Sequence, residues 1–191
     1  MRPEKTDLRQ RLRDVARELF AKEGYDSVSM RRIGAEANCS AMATYRYFRS
    51  KEELLISICE ETFEQLSQSR NEAMKPHDTP LERLRAAMRN FIQFGIEHPN
   101  HYKLAFMTDI PPGPMATRRA TILARGLGGI RDLVKECAAA KDLGIDVDLT
   151  VELLQVAPQG LISACVVRPP QIRDSNRLVE HMIQTLTRVF E

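Results

Sequence analysis

Three serines, Ser29, Ser40 and Ser50, each stand immediately before a helix-favouring run, and their close spacing constrains this chain more than any other feature. A serine at that position accepts a hydrogen bond from the N–H groups that a first helical turn leaves unpaired. Ser29 is read as the start of a short helix through Ala37, with Ile33 and Ala37 on its inner face. Ser40 starts a second that ends near Phe48. Ser50, with Glu53 as its capping-box partner, starts a longer one that reaches about Met74. Only Asn38 and Cys39 lie between the first two helices, and asparagine tolerates the left-handed backbone of a tight turn. Two short helices joined in this way form a helix-turn-helix, whose second helix is shaped to enter a major groove.

The remaining segments also follow the helical period. Leu8, Leu12, Val15, Ala16, Leu19 and Phe20 make one apolar face, with Asp7 as the expected N-cap and Gly24 as the stop. After the linker KPHDTP, Thr79, Pro80 and Glu82 supply a cap, a first-turn proline and a box partner. EHPNH breaks that helix, and a short one carries Tyr102, Leu104, Ala105 and Phe106. DIPPGP is the strongest breaker. A long helix is expected from Met115 to Ala140, weakened locally by Gly126, Gly128 and Gly129. Two more run from Val147 to Val167, with a kink at Pro158, and from Ser175 to Phe190, separated by RPP. No strand or repeat is legible. The expectation is an all-α fold of about nine helices, with a domain boundary at residues 51/52: an N-terminal three-helix unit over 1–51, then a helical domain over 52–191 joined by the fourth helix.

Net charge is only +2 over the 191 residues, but it is unevenly placed. Residues 1–51 hold 12 Lys and Arg against 7 Asp and Glu, so the basic surplus sits in the first quarter and points to an anionic partner there. No uninterrupted apolar run approaches the ~20 residues of a membrane span, and the first ten residues lack the apolar core of a signal peptide. A cytoplasmic protein without a membrane partner is expected. The four cysteines are scattered and read as small apolar side chains, with no metal spacing. No nucleophile elbow, P-loop, zincin or dinucleotide fingerprint occurs, so neither enzyme activity nor a cofactor is expected. The rival reading is a helical protein-interaction module.

Angular position divides the second short helix. Thr44 and Phe48, four apart, face the preceding helix, while Met42 and Arg46 point the other way, flanked by Ala43, Tyr45 and Tyr47. Small residues permit close approach to base edges, and the methyls of Ala41 or Ala43 can meet a thymine methyl. Tyrosine hydroxyls reach phosphates. Arg46 can read a guanine or bind the backbone. Lys51, in the first turn of the next helix, is placed for a phosphate.

LFAKEGYDSVSMRRIGAEANCSAMATYRYFRSKEELL resembles the DNA-binding domain of the TetR family of transcriptional regulators, over about Leu8 to Cys59. The "LF…EGY" entry, the capped IGAEA helix and the YRYF-x-SKEEL exit occur in the family's order. The resemblance implies a homodimeric, mostly repressing regulator that binds a palindromic duplex operator and is released by a small-molecule effector. By position, its DNA contacts fall on Ser29, Met30, Arg31, Ala41, Met42, Ala43, Tyr45, Arg46 and Tyr47, with Lys51 clamping a phosphate. Ala41, Met42 and Ala43 depart from the Lys or Pro then Gly or Thr frequent in relatives, and Thr44 replaces a usual Leu. Less hydrogen bonding there implies more reliance on DNA shape and methyl contacts.

FIQFGIEHPNHYKLAF resembles one branch of the family, in which a Trp and a His-Gly mark the penultimate helix; here Gln155 and Gln159 stand at those places and Gly160 is kept. An effector pocket is expected among helices four to eight, with Phe63, Phe91, Phe94, Tyr102, Phe106, Met107 and Met115 as apolar walls. His98, beside His101 at a helix break, and Gln155 and Gln159 supply polar contacts. Each apolar member also suits an ordinary core position. The last two helices are expected to pair with their copies through Ala157, Gly160, Leu161, Ala164, Cys165, Leu178, Met182 and Leu186.

Overall fold

The computed structural model describes residues 5–167 and 175–191, and every regular element among them is helical. The RPP separator lies outside the described residues. The order is α1 (Lys5–Glu23), α2 (Met30–Glu36), α3 (Ala41–Tyr47), α4 (Lys51–Met74), α5 (Pro80–Glu97), α6 (Pro99–Tyr102), a π-helical turn (Lys103–Met107), α7 (Pro114–Ala140), α8 (Val147–Val167), α9 (Ser175–Thr187) and a closing 3₁₀ turn (Arg188–Phe190). The all-α expectation is met, and most element bounds fall within a residue or two of those read from caps and breakers, the start of α1 and the α6–π segment excepted.

The serine caps form as read. Ser29 Oγ accepts the Arg32 N–H at 3.2 Å, Ser40 Oγ that of Ala43 at 3.1 Å, and Ser50 Oγ that of Glu53 at 3.1 Å. The box at Ser50 differs in one bond: the Glu53 carboxylate accepts from the N–H of Arg49 (2.7 Å), one residue earlier than expected. Asp7 is not a cap, because α1 already runs from Lys5. Gly24 ends α1 at φ +84°, and Asn38 takes φ +54° in the α2–α3 turn.

The chain divides into two compact units, Met1–Phe63 with Asn100–Ile122, and Glu64–Pro99 with Leu123–Glu191. This division differs from the boundary expected at 51/52. The reason lies in the first unit, where the π turn packs on the beginning of α4. Cys59 donates its thiol to the Leu104 carbonyl (3.8 Å), Phe63 meets Phe106 edge-on at 5.2 Å, and Tyr102 stacks on Phe106 at 4.8 Å. In the same unit, α1 is tied to α4 through Glu61, whose carboxylate accepts from Arg17 Nη2 (2.6 Å) and Gln10 Nε2 (3.0 Å). Leu12, Ala16, Phe20, Val28, Ile33 and Phe48 are buried and hold α1, α2 and α3 together.

In the second unit α5 buries Leu84, Ala87, Met88, Ile92 and Phe94. α9 turns Val179, Ile183 and Thr187 inward, and the 3₁₀ turn after it buries Phe190. Arg85 Nε donates to Thr187 Oγ1 (2.9 Å), and Arg89 grips the Glu180 carboxylate through Nε and Nη2 at 2.5 and 2.6 Å. α8 buries Val151, Leu154, Leu161 and Ile162. Counting uninterrupted apolar runs understated α8: Val147–Val166 has a mean hydropathy of 1.4 and is long and apolar enough, by length and composition, to cross a membrane. Only 22% of that window is buried.

Candidate nucleic-acid interface

The turn between α2 and α3 is held by steric fit. Gly34 faces Thr44 so closely that a Cβ added there would lie 2.5 Å from Thr44 Oγ1 and 3.3 Å from the Cys39 carbonyl. Thr44 is fully buried, and its hydroxyl donates to the Ser40 carbonyl at 3.2 Å. The threonine that stands where relatives carry leucine is therefore a small core residue whose polar atom is satisfied within its own helix. Phe48 is also fully buried, with the Arg9 guanidinium 5.5 Å above its ring.

With Thr44 and Phe48 inward, the rest of α3 faces out. Met42 is 82% exposed and Tyr45 51%. Arg46 is exposed, while Ala41, Ala43 and Tyr47 are half-buried. On α2, Ser29 and Arg31 are exposed. Met30 is the exception among the expected contacts. At 5% exposure its side chain belongs to the core, and only its backbone remains for a partner.

Ser29, Tyr45 and Lys51 come together around one surface concavity with Asp26, Arg49 and Ser50. The Lys51 ammonium donates to the carbonyls of Tyr25 (2.9 Å) and Asp26 (3.4 Å) and sits 4.3 Å from the Tyr25 ring centroid. An ammonium has three N–H donors, so one stays available to an anion while two pin the α1–α2 loop. Arg49 went unnoticed in the sequence. It is exposed on the α3–α4 connection beside Lys51, and the signal that marks it is a second cation, after Arg46, directly before the Ser50 cap.

Residues 12–58 match the family model described as bacterial regulatory proteins, tetR family. Over those residues the chain is similar to the TetR family. Its curated relatives include the transcriptional activator FasR of Mycolicibacterium smegmatis, 29% identical over 109 residues, covering 56% of this chain and 49% of FasR. The transcriptional repressor KstR of Rhodococcus jostii is 38% identical over 77 residues, covering 40% of this chain and 35% of KstR. The chain thus spans half or less of the length of these relatives. Among solved structures, FadR of Bacillus subtilis, in complex with stearoyl-CoA, superposes with a TM-score of 0.82 at 20% identity, over 93% of this chain and 97% of FadR. FadR of Bacillus halodurans gives 0.80 at 18% identity, over 93% and 97%. At such identities the likeness is one of fold.

The residues expected to line an effector pocket are dispersed. Phe63, Tyr102 and Phe106 form the aromatic cluster of the first unit; Tyr102 is buried enough that its hydroxyl is pushed up to about 12. Met107 is 47% exposed. Phe94 is buried in the second unit, against the His98 ring at 5.0 Å. Gln159 is half-buried and lines no described cleft. Only Phe91 and Gln155 line the cleft that the second unit contains. There α4 contributes Leu66 and Arg70, and α5 contributes Ala87, Met88, Asn90 and Phe91. α7 supplies Gly126 and Ile130, and α8 supplies Leu154, Gln155 and Pro158. Its cavity volume is only about 30 Å³, room for little more than water, so a larger ligand enters only if the walls move apart.

Of the expected pairing residues, Leu161 is buried at 9% and belongs to the unit's own core. Gly160, Ala164 and Leu178 are exposed, and Ala157, Cys165, Met182 and Leu186 are half-buried. Leu149, Leu153 and Val156, at 64, 54 and 66% exposure, were missed. They continue the Gly160–Ala164 stripe towards the N-terminus of α8 at spacings of four and three, the period that would have revealed them.

Proposed function

We propose that this protein is a TetR-family transcriptional regulator whose homodimer binds a palindromic duplex operator and leaves it when a small-molecule effector binds. The observation that carries the reading is the outer face of α3. A large apolar side chain, a tyrosine and an arginine stand exposed on a helix whose opposite face is pinned by fully buried Thr44 and Phe48. Exposure of this kind has a cost in water and a use in a groove. Met42 and the flanking alanines meet base edges by apolar contact, Tyr45 and Tyr47 reach sugar and phosphate, and Arg46 takes a guanine or the backbone. Ser29, Arg31, Arg49 and the third N–H of Lys51 hold phosphates on either side. Met30 adds its backbone only.

The dimer is supported by the apolar stripes on α8 and α9, and it sets two α3 helices against half-sites about one helical turn, ~34 Å, apart or a multiple of that. The effector site is the cleft of the second unit, and ligand binding there favours a conformation that fits the operator poorly. Repression is the proposed sign, as in the KstR relatives, while FasR is an activator. DNA as the partner makes the cytoplasm the place of action.

Selection of duplexes bound by the full chain, followed by fluorescence anisotropy on the selected sequence, tests this. Arg46→Ala is expected to weaken binding by about 10-fold. A base contact then shows as relaxed preference at one position. A phosphate contact shows as a loss of about one unit in the slope of log affinity against log salt. Tyr45→Ala weakens binding without altering the melting temperature. A chain that selects no sequence, or variants that bind like the parent, would refute the assignment.

A further inference from the structure

Arg70 is the one charged side chain on the wall of the second unit's cleft. Three other arginines of that unit have carboxylates: Arg83 reaches Glu136 at 2.8 Å, Arg89 holds Glu180 at 2.5 Å, and Arg131 pairs with Asp148. Arg70 has no carboxylate partner among the described residues. Its Nη1 donates to the carbonyl of Gly126 at 2.9 Å, and its Nε is buried without an acceptor. A neutral carbonyl satisfies one N–H and leaves the charge uncompensated, and burial holds the guanidinium below its ordinary pKa.

The fold makes room for this arrangement. A Cβ on Gly129 would stand 3.1 Å from Arg70 Cζ and Nη1 and 3.2 Å from Nη2. The guanidinium therefore lies against bare helix backbone. Glycine inside a helix costs about 1 kcal/mol relative to alanine, so Gly126 and Gly129 weaken α7 where the cation is seated. Beside it on the wall, the Asn90 amide lies 3.2 Å from the Ser69 hydroxyl, whose single proton is shared with the Leu66 carbonyl at 3.1 Å, and its NH₂ is a donor. Arg70, Asn90 and the Gln155 amide are the polar side chains on a wall otherwise built from apolar ones such as Leu66, Met88 and Ile130.

We infer that the cleft takes an amphipathic monoanion, a carboxylate heading an apolar body, with Arg70 as the counter-ion and Asn90 as the second donor. The inference rests on the effector reading of this cleft and adds the ligand's chemical class to it. The carboxylate neutralises a cation that the fold leaves unpaired, and its tail replaces water on the apolar wall.

The probes are sodium octanoate, octan-1-ol and octylamine, titrated calorimetrically into the full chain, its Arg70→Met and Arg70→Lys variants, each checked for helix content and cooperative melting. Octanoate should bind on the order of 10-fold or more tighter than the alcohol, as a charge-assisted hydrogen bond requires, and the amine weakest. Arg70→Met should abolish that preference and leave alcohol binding nearly unchanged; Arg70→Lys should keep part of it. Equal affinity for acid and alcohol, no octanoate binding, or a preference that survives Arg70→Met would overturn the inference. Duplex binding is measured separately. If octanoate binds through Arg70 but never lowers duplex affinity, the anion site stands and the effector role falls. If the chain binds no duplex, the regulatory reading falls without touching the calorimetry.

Discussion

Gly34 and Thr44 show how a single atom sets the interface. The α2–α3 angle depends on the helices touching where residue 34 has no side chain, and the atom it meets is the Oγ1 of a stiff β-branched residue. Gly34→Ala should therefore cost about 1–3 kcal/mol by overpacking, read as a lower melting temperature of the full chain, and should weaken duplex binding in parallel. An unchanged melt would show that the helices are not in register through this contact. The cysteines belong at the same scale. Burial pushes the thiols of Cys59 and Cys137 up to about 11, which keeps them protonated near neutrality and agrees with the apolar role read from their scatter. Cys39 and Cys165 are only half-buried, a distinction that spacing alone does not carry.

At the scale of elements, α9 is anchored on α5 by the Arg89–Glu180 pair as well as by its apolar face. The two hydrogen bonds from Arg89 hold the Glu180 carboxyl below its ordinary value of 4.5, against the opposing effect of burial. The folded chain thus releases that proton more readily than the unfolded one. The stabilisation is complete above about pH 4.5 and is lost as pH falls through the lower folded value. Both side chains are partly exposed, so its size is under about 1 kcal/mol. Glu180→Gln should lower the melting temperature near pH 7 and converge with the parent as the pH falls through the lowered value of the carboxyl; a constant gap from neutral to acid pH would refute the linkage. Elements were also the most legible scale in the sequence. Caps, breakers and the 3.6-residue period are local, and α2, α3, α4 and α5 begin where Ser29, Ser40, Ser50 and Thr79 said they would, and α8 begins at Val147 as expected. Asp7 misled because any polar residue near a chain end resembles a cap.

For the whole molecule, the proposed homodimer rests on the exposed faces of α8 and α9. α8 presents Leu149, Leu153 and Val156 outward on one stripe, with Asp148 and Glu152 interleaved among them; α9 adds Leu178, and the closing 3₁₀ turn adds Val189. A stripe on one face suits a flat partner such as a second copy better than it suits lipid on all sides. Val156→Glu should convert the dimer to monomer in sedimentation at micromolar concentration and lower operator affinity steeply, because two half-sites are no longer bound together. A wild-type chain that sediments as monomer, or partitions into vesicles, would overturn this arrangement.

The amino-acid sequence by itself determined the helical class, the turn at Asn38–Cys39 and the inward positions of Thr44 and Phe48, since each follows from neighbours within about four residues. The same local signals made most of the α3 face readable. What tertiary structure alone decided was whatever depends on residues distant in the chain. Met30 went into the core although its neighbours Ser29 and Arg31 stayed out. The aromatic residues expected to surround an effector were divided between two units, because the π turn at Lys103–Met107 packs on the start of α4. Arg70 passed unremarked, because its significance is a missing partner, and a missing partner has no signature in sequence. Only packing against Gly126 and Gly129, more than fifty residues away, makes it an unpaired cation in an apolar cleft.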